Sequence, residues 1–319
     1  MEVAQGIHRL EGVFRNRILC LYLLVGESRV LLFDTGVDST PQDLVMPYLR
    51  SIGVDPARIT YVVTSHADID HMGGNASIRN YAPHAALLCH ELDRPMVEDV
   101  ELLMAQRYGE FSEHGVIGTS SDDALRRQLA RASPVDVALV GSERIRIGSD
   151  WIVNVLHTPG HSRGHISLWD SRSRTAIVGD AVLSNAVLSV SGEPASPPPY
   201  RFVSSYCSSI QQLERLNCDL LLTSHYPIYR GTAVTSFLAR TRDFVDQLDQ
   251  LLRLELQASR TTRSIAELIP VLASRVGQWP VESIHWLASP LLGHLERFKR
   301  LGLIRRSRLQ GEVRWRWIA

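Results

Sequence analysis

The sequence predicts an α/β protein in which two sheets pack face to face with helices on both outer sides, an αββα sandwich, followed by a small α-rich segment. Three observations carry this. Over residues 1–236 short apolar and β-branched runs alternate with stretches of helical spacing in two successive cycles, the pattern of sheets covered by helices. The runs are bounded by Gly, Asp or Ser, as strands are. Beyond Thr232 the strand pattern gives way to helix alone.

Taken in order, Ile18–Val25 and Arg29–Phe33, separated by Gly26-Glu27-Ser28, read as a hairpin. Pro41–Ile52 has helical spacing at Leu44, Val45, Tyr48, Leu49 and Ile52, and leads through Gly53 into the β-branched run Ile59–Thr64. A second cycle places a helix at Gly74–Tyr81 and a strand at Ala86–Cys89. Glu91–Arg131 is polar and helix-favouring and reads as a helical insertion, a candidate lid over residues 91–131. Strands return at Val137–Val140, Arg144–Ile147, Trp151–Leu156, His165–Trp169 and Thr175–Val178. Ser189–Pro199 is a long surface loop, Val203–Leu216 a helix and Asp219–Thr223 the last strand of this part.

The apolar stripe Phe237, Leu238, Phe244, Val245, Leu248, Leu251 and Leu252 marks residues 237–260 as a linking helix. Ser264–Ala273, Ser283–Leu287 and Leu291–Leu301 precede Leu303–Arg306 and Val313–Ile318, which flank Gln310-Gly311. Three helices and a hairpin give residues 261–319 the layout of a winged helix.

Composition narrows the function classes. The 34 basic residues balance 34 acidic ones, so no bulk attraction to polyanions is expected. Cys20, Cys89, Cys207 and Cys218 are too scattered for a zinc ribbon or a disulfide scaffold. Met1–Leu10 lacks a signal pattern, and no stretch approaches the roughly 20 apolar residues of a spanning helix. The expectation is a cytoplasmic protein with no membrane partner.

The most informative stretch is Thr64-Ser65-His66-Ala67-Asp68-Ile69-Asp70-His71-Met72-Gly73-Gly74, directly after a buried strand. Four ligand-type residues lie within six positions. With an extended backbone, His66, Asp68 and Asp70 project to one side, and a turn at the glycines lets His71 point across, so one loop could address two metals. Here the chain resembles the metallo-β-lactamase superfamily, whose signature is H-x-H-x-D-H followed by glycine. His157-Thr158-Pro159-Gly160-His161-Ser162 looks like the family's T-P-G-H segment, Gly179-Asp180 like its bridging carboxylate, and Thr223-Ser224-His225 like its last ligand.

The resemblance implies His66, Asp68 and His161 on one metal, Asp70, His71 and His225 on a second, and Asp180 between them. Asp68 departs from the family's usual histidine. That harder ligand brings iron or manganese into consideration beside zinc. Asp34, His157 and His165 are candidates for orienting the ligands, and Tyr108, Phe111 and Tyr226 for binding substrate.

Two other motifs compete. Gly160-His161-Ser162-Arg163-Gly164 matches the serine nucleophile elbow, but a strand rather than a helix is expected after it. Asp34-Thr35-Gly36 resembles an aspartic-protease motif, which requires two copies.

The implied chemistry is hydrolysis of an ester, thioester, lactone or amide of a small, partly apolar substrate, with Asp70 orienting a metal-bridging hydroxide or passing on a proton. A phosphodiesterase or endoribonuclease is the competing class. From Arg260 onward eleven basic residues face four acidic ones, a balance of +7, although Trp279, Trp286, Leu291, Leu295 and Phe298 equally suit a packing or homodimer surface. A third class, suggested only by Asp68, is di-iron redox chemistry.

Overall fold

The computed structural model describes residues 1–116 and 120–319; residues 117–119, inside the Glu91–Arg131 segment, lie outside the described residues. Strands β1 (Glu2–Ala4), β2 (Ile7–Phe14), β3 (Arg17–Val25), β4 (Val30–Phe33), β5 (Ile59–Val63), β6 (Ala86–His90) and β7 (Val137–Leu139) pair in sequence order into a seven-stranded sheet. It is antiparallel from β1 to β4 and parallel from β4 to β7.

The second sheet uses β8 (Arg144–Arg146), β9 (Ile152–His157), β10 (Ile166–Asp170) and β11 (Thr175–Gly179). A small ribbon, β12 (Val187–Leu188) and β13 (Pro194–Ser196), intervenes before β14 (Leu220–Thr223) and β15 (Tyr229–Arg230) complete it. Its six strands run in the order β15-β14-β11-β10-β9-β8, with β11 and β14 parallel.

The period-2 geometry of a strand explains why the sheets stack. Along β3, Leu19, Leu21 and Leu23 enter the core beneath the outer helices, while Cys20, Tyr22 and Leu24 enter the core between the sheets. In β11, Ile177 faces the inter-sheet core and Ala176 and Val178 face away from it. β14 splits the same way, with Leu220 and Leu222 inward and Leu221 outward. The result is helix, sheet, sheet, helix.

β1 and β2 have no counterpart among the sequence-predicted strands. Their signal is masked because β2 carries His8 and Arg9 in buried positions, Arg9 hydrogen-bonding Cys20 Sγ and the Tyr226 carbonyl. The second sheet is covered by helices Val203–Leu216 and Thr232–Ala258. The latter is one continuous helix that buries Phe237, Phe244, Leu248 and Leu252.

Beyond it come helix Ile265–Val276, whose N-terminus is closed by a Ser264/Glu267 capping box, a turn of helix at Val281–Leu287 and helix Ala288–Arg300. A hairpin of β16 (Ile304–Leu309) and β17 (Glu312–Trp317) follows, turning at Gln310 and Gly311, which both have positive φ. Leu291, Leu295 and Phe298 join Tyr200, Tyr206 and Phe244 in one core with the outer face of the second sheet. Tyr200 also bonds His294, which in turn bonds Asp249. The C-terminal segment therefore shares its core with the sandwich. Among the described residues no helix is long and apolar enough to cross a membrane, and all four cysteines are free.

Candidate metal centre

Four loops leave the C-terminal ends of β5, β9, β11 and β14 and converge. They bring His66, Asp68, Asp70, His71, His161, Asp180 and His225 into one cluster. Within it three sets could each hold an ion, with one donor atom per residue all within 4.8 Å of one another: His66, His71 and Asp180; His66, Asp68 and His161; and Asp70, His71 and His225. Asp180 Oδ2 lies 3.3 Å from His225 Nε2, 3.7 Å from His71 Nε2 and 3.9 Å from His161 Nε2, between the two halves.

The backbone achieves this differently from the glycine turn expected from sequence. A helical turn, Ile69–Met72, starts directly after the extended Asp68. Successive residues on a helix diverge by about 100°, so the turn itself separates Asp70 from His71. Gly73 and Gly74 serve packing: a Cβ on Gly73 would stand 2.5 Å from the carbonyls of Ile69 and Leu129, and one on Gly74 equally close to that of Thr35.

Three imidazoles are each held from behind. His71 Nδ1 lies 2.8 Å from Asp34 Oδ2, His225 Nδ1 lies 2.8 Å from the Ile18 carbonyl, and His66 Nδ1 lies 2.9 Å from Ser65 Oγ. Such contacts fix ring orientation and leave Nε2 facing the centre. Asp34, fully buried with φ of 63°, also accepts from the amide and hydroxyl of Ser65. The buried atoms His66 Nε2, His71 Nε2 and Asp180 Oδ1 have no hydrogen-bond partner. A converging set of orphaned nitrogens and carboxylate oxygens fits a divalent cation, since buried polar groups are otherwise satisfied.

His161 differs. Its Nδ1 is buried without a partner, and its Nε2 lies 2.9 Å from Asp68 Oδ2 and 2.8 Å from Arg107 Nη2. Burial, followed by the Arg107 charge, lowers its pKa to about 4. Burial opposes ionisation of Asp68, but the charge and hydrogen bonds of Arg107 prevail and hold that carboxyl well below its usual range. Burial also opposes the charge on His71, yet Asp180, Asp70 and Asp34 outweigh it and raise its pKa to about 10.

The remaining predicted residues fall in different places. His165 accepts from the Asp180 amide at 3.1 Å through Nε2, with Nδ1 on Thr158 Oγ1, and so positions the backbone of Asp180. His157 points elsewhere, to the Arg163 carbonyl, and stacks on His90. Tyr108 lines the cleft over the centre, its hydroxyl accepting from the Ile69 amide. Phe111 and Tyr226 do not reach the cleft: Phe111 packs on the core outside the second sheet, and Tyr226 is 2 % exposed with its hydroxyl donated to the Leu183 and Ala186 carbonyls.

Ser162 donates to Asp93 Oδ2 at 2.6 Å rather than to a histidine, and the strand β10 follows it, so the nucleophile-elbow motif is without its machinery. Sequence reasoning did not single out Asp93. Fully buried, it accepts from Ala67 N, Ser162 Oγ and Gly164 N, tying the loop after β5 to the loop after β9. Its place just beyond the end of β6, a parallel strand, is the signal that could have marked it. Arg107 and Arg17, near the site, were also missed.

With this geometry in view the comparisons are specific. The profile of the metallo-beta-lactamase superfamily matches residues 20–225, and the chain belongs to that superfamily. It is 25% identical over 232 residues to the probable metallo-hydrolase YflN of Bacillus subtilis, covering 70% of this chain and 85% of that protein. It is 28% identical over 210 residues to the acyl-coenzyme A thioesterase MBLAC2 of Gallus gallus, covering 61% and 66% respectively. A crystal structure of a metallo-beta-lactamase family protein from Thermus thermophilus superposes with a TM-score of 0.78 at 18% identity, over 99% of this chain and all of that one, and shows the shared fold. The family and its hydrolase relatives make this chain a metallo-hydrolase.

Proposed function

We propose that the chain hydrolyses an ester, thioester, lactone or amide carbonyl of a small, partly apolar substrate, using divalent ions held by His66, Asp68, His161, Asp70, His71, His225 and Asp180. Zinc is the ion put forward, with iron or manganese as alternatives introduced by Asp68. The observation that carries the reading is the set of buried, partnerless Nε2 and Oδ1 atoms converging on one point.

Bound there, a divalent ion supplies a hydroxide at neutral pH and polarises a carbonyl. The chain's own residues do the rest. Asp70, the more exposed of the paired donors at 14 % against 1 % for His71, faces the cleft and is placed to orient the attacking water or carry a proton to the leaving group. Phe14, Leu129, Tyr108 and Trp286 offer apolar wall, and Arg15, Arg17 and Arg126 stand among them. This mixture suits an acyl or aromatic group attached to an anionic portion.

We read residues 261–319 as a winged-helix-like module whose role is packing and shaping the cleft. Its arginines support this over nucleic-acid binding, because Arg306 and Arg308 pair with Glu113, and Arg314 with Glu267 and Glu312. The test is a panel of lactones, thioesters, aryl esters and RNA offered to chelator-stripped and zinc-restored protein. Carbonyl hydrolysis lost on stripping and regained with metal is expected; turnover indifferent to chelation would reject the reading. Tyr108→Ala and Trp286→Ala should raise KM for the apolar acyl substrates and leave kcat nearly unchanged.

A further inference from the structure

Arg107 has no role in the reaction as described, yet its guanidinium lies on the donors themselves. Nε and Nη2 donate to the two oxygens of Asp68 at 2.6 and 2.7 Å, a bidentate pair of the strong kind. Nη2 is also 2.8 Å from His161 Nε2, and Nη1 donates to the His161 carbonyl at 3.2 Å. A neutral imidazole nitrogen offers one lone pair. His161 Nε2 either accepts from Arg107 or carries a proton toward Asp68, and in both states it has nothing left for an ion. His66 Nε2 and His71 Nε2 make no hydrogen bond, so an ion at His71 has only a proton to displace and no side chain.

Charge points the same way. Within the His66, Asp68 and His161 half the one carboxylate is Asp68, and the Arg107 guanidinium already neutralises it. A divalent ion brought into that half with the guanidinium in place would meet a like charge in a buried site, a costly arrangement. A cavity of 240 Å³ adjoins Arg107, but Arg163 and Arg201 line it beside Glu110, which already pairs with Arg201 at 2.7 Å, so withdrawal of the guanidinium into it is opposed by like charge.

We propose that Arg107 is an internal cation occupying the His66, Asp68 and His161 half of the centre, so that the two halves load unequally. One divalent ion enters the Asp70, His71 and His225 half by displacing protons alone; a second enters the other half only by displacing the guanidinium. The inference rests on the metal-hydrolase reading and specifies how that site fills.

The test is a calorimetric titration of the metal-stripped full chain with Zn²⁺, repeated with Co²⁺ to follow its visible spectrum, for the wild type, Arg107→Met and Arg107→Lys. In the wild type the second equivalent should bind at least about tenfold more weakly than the first, given the strength of a charge-assisted pair. Arg107→Met should bring the two within about threefold and add a second cobalt site to the spectrum, with Arg107→Lys in between. Two wild-type equivalents of equal affinity overturn the proposal, as does a gap unchanged in Arg107→Met. Should Arg107→Met fail to fold, Arg107→Lys decides alone: a narrowed gap supports the proposal and an unchanged one overturns it. Absence of even the first equivalent in the folded wild type instead overturns the metal-hydrolase reading beneath it.

Discussion

The two halves of the centre draw on the same residue types but are built differently. In one, His71 and His225 are pinned through Nδ1 by Asp34 and the Ile18 carbonyl, and Nε2 of each faces the centre. In the other, His161 has no partner on Nδ1, and Asp68 and His161 are already in the grip of Arg107. The contrast teaches that a ligand motif specifies which atoms meet, whereas the groups behind and beside them decide how readily those atoms are given up to an ion.

The sharpest way to break this comparison is to remove one donor from each half. His225→Ala should abolish the tight metal equivalent and turnover together, whereas His161→Ala should remove only the weaker equivalent; metal content by mass spectrometry reports both, and equal losses would erase the distinction. Next in size, Asp34→Asn should weaken the tight equivalent by about 10- to 100-fold, the usual effect of losing a ligand's supporting contact, and the weaker one less, because Asp34 reaches His66 only through Ser65. Competition against a chromophoric chelator measures it.

Asp93 joins the loops that serve both halves, so Asp93→Ala should lower stability by about 3 kcal/mol or more, at about 1–3 kcal/mol for each of three donors left unsatisfied, read by denaturant unfolding. Ser162→Ala, which loses one of those bonds, should cost less and retain turnover. Loss of hydrolysis in that variant at full metal content would revive a serine nucleophile.

A last effect is in pH. His71 in the metal-free chain has its pKa raised to about 10, burial notwithstanding, by Asp180, Asp70 and Asp34. Because the folded value lies above the ordinary 6.5, its stabilisation is complete below pH 6.5 and fades as pH rises through about 10. Melting temperature of the stripped protein should therefore decline across that window, and the metal-loaded protein should decline less.

The sandwich was legible because alternating burial leaves a direct imprint on sequence, as in β3 and β14. The gathering loops were legible because histidine and aspartate crowd the ends of strands. β2 was not, since its buried Arg9 and His8 imitate a polar segment. Arg107 gave no local sign at all: it meets Asp68 from 39 positions away, and only the fold that sets the helical turn Met104–Tyr108 beside Asp68 creates the pair. Tyr108 and Phe111, three positions apart, looked equivalent as cleft residues, yet only Tyr108 lines it. Tyr226, adjacent to a ligand, turns back into the core to cap carbonyls.

Trp286 comes from the far end of the chain and still stands at the mouth of the cleft, with Arg126 packed between it and Tyr108. Drift in that distal stretch can therefore retune which molecules are admitted while leaving the reactive floor untouched. The same attachment means that trimming the chain near residue 260 would strip an oily flank from the sandwich and remove part of its doorway in one cut.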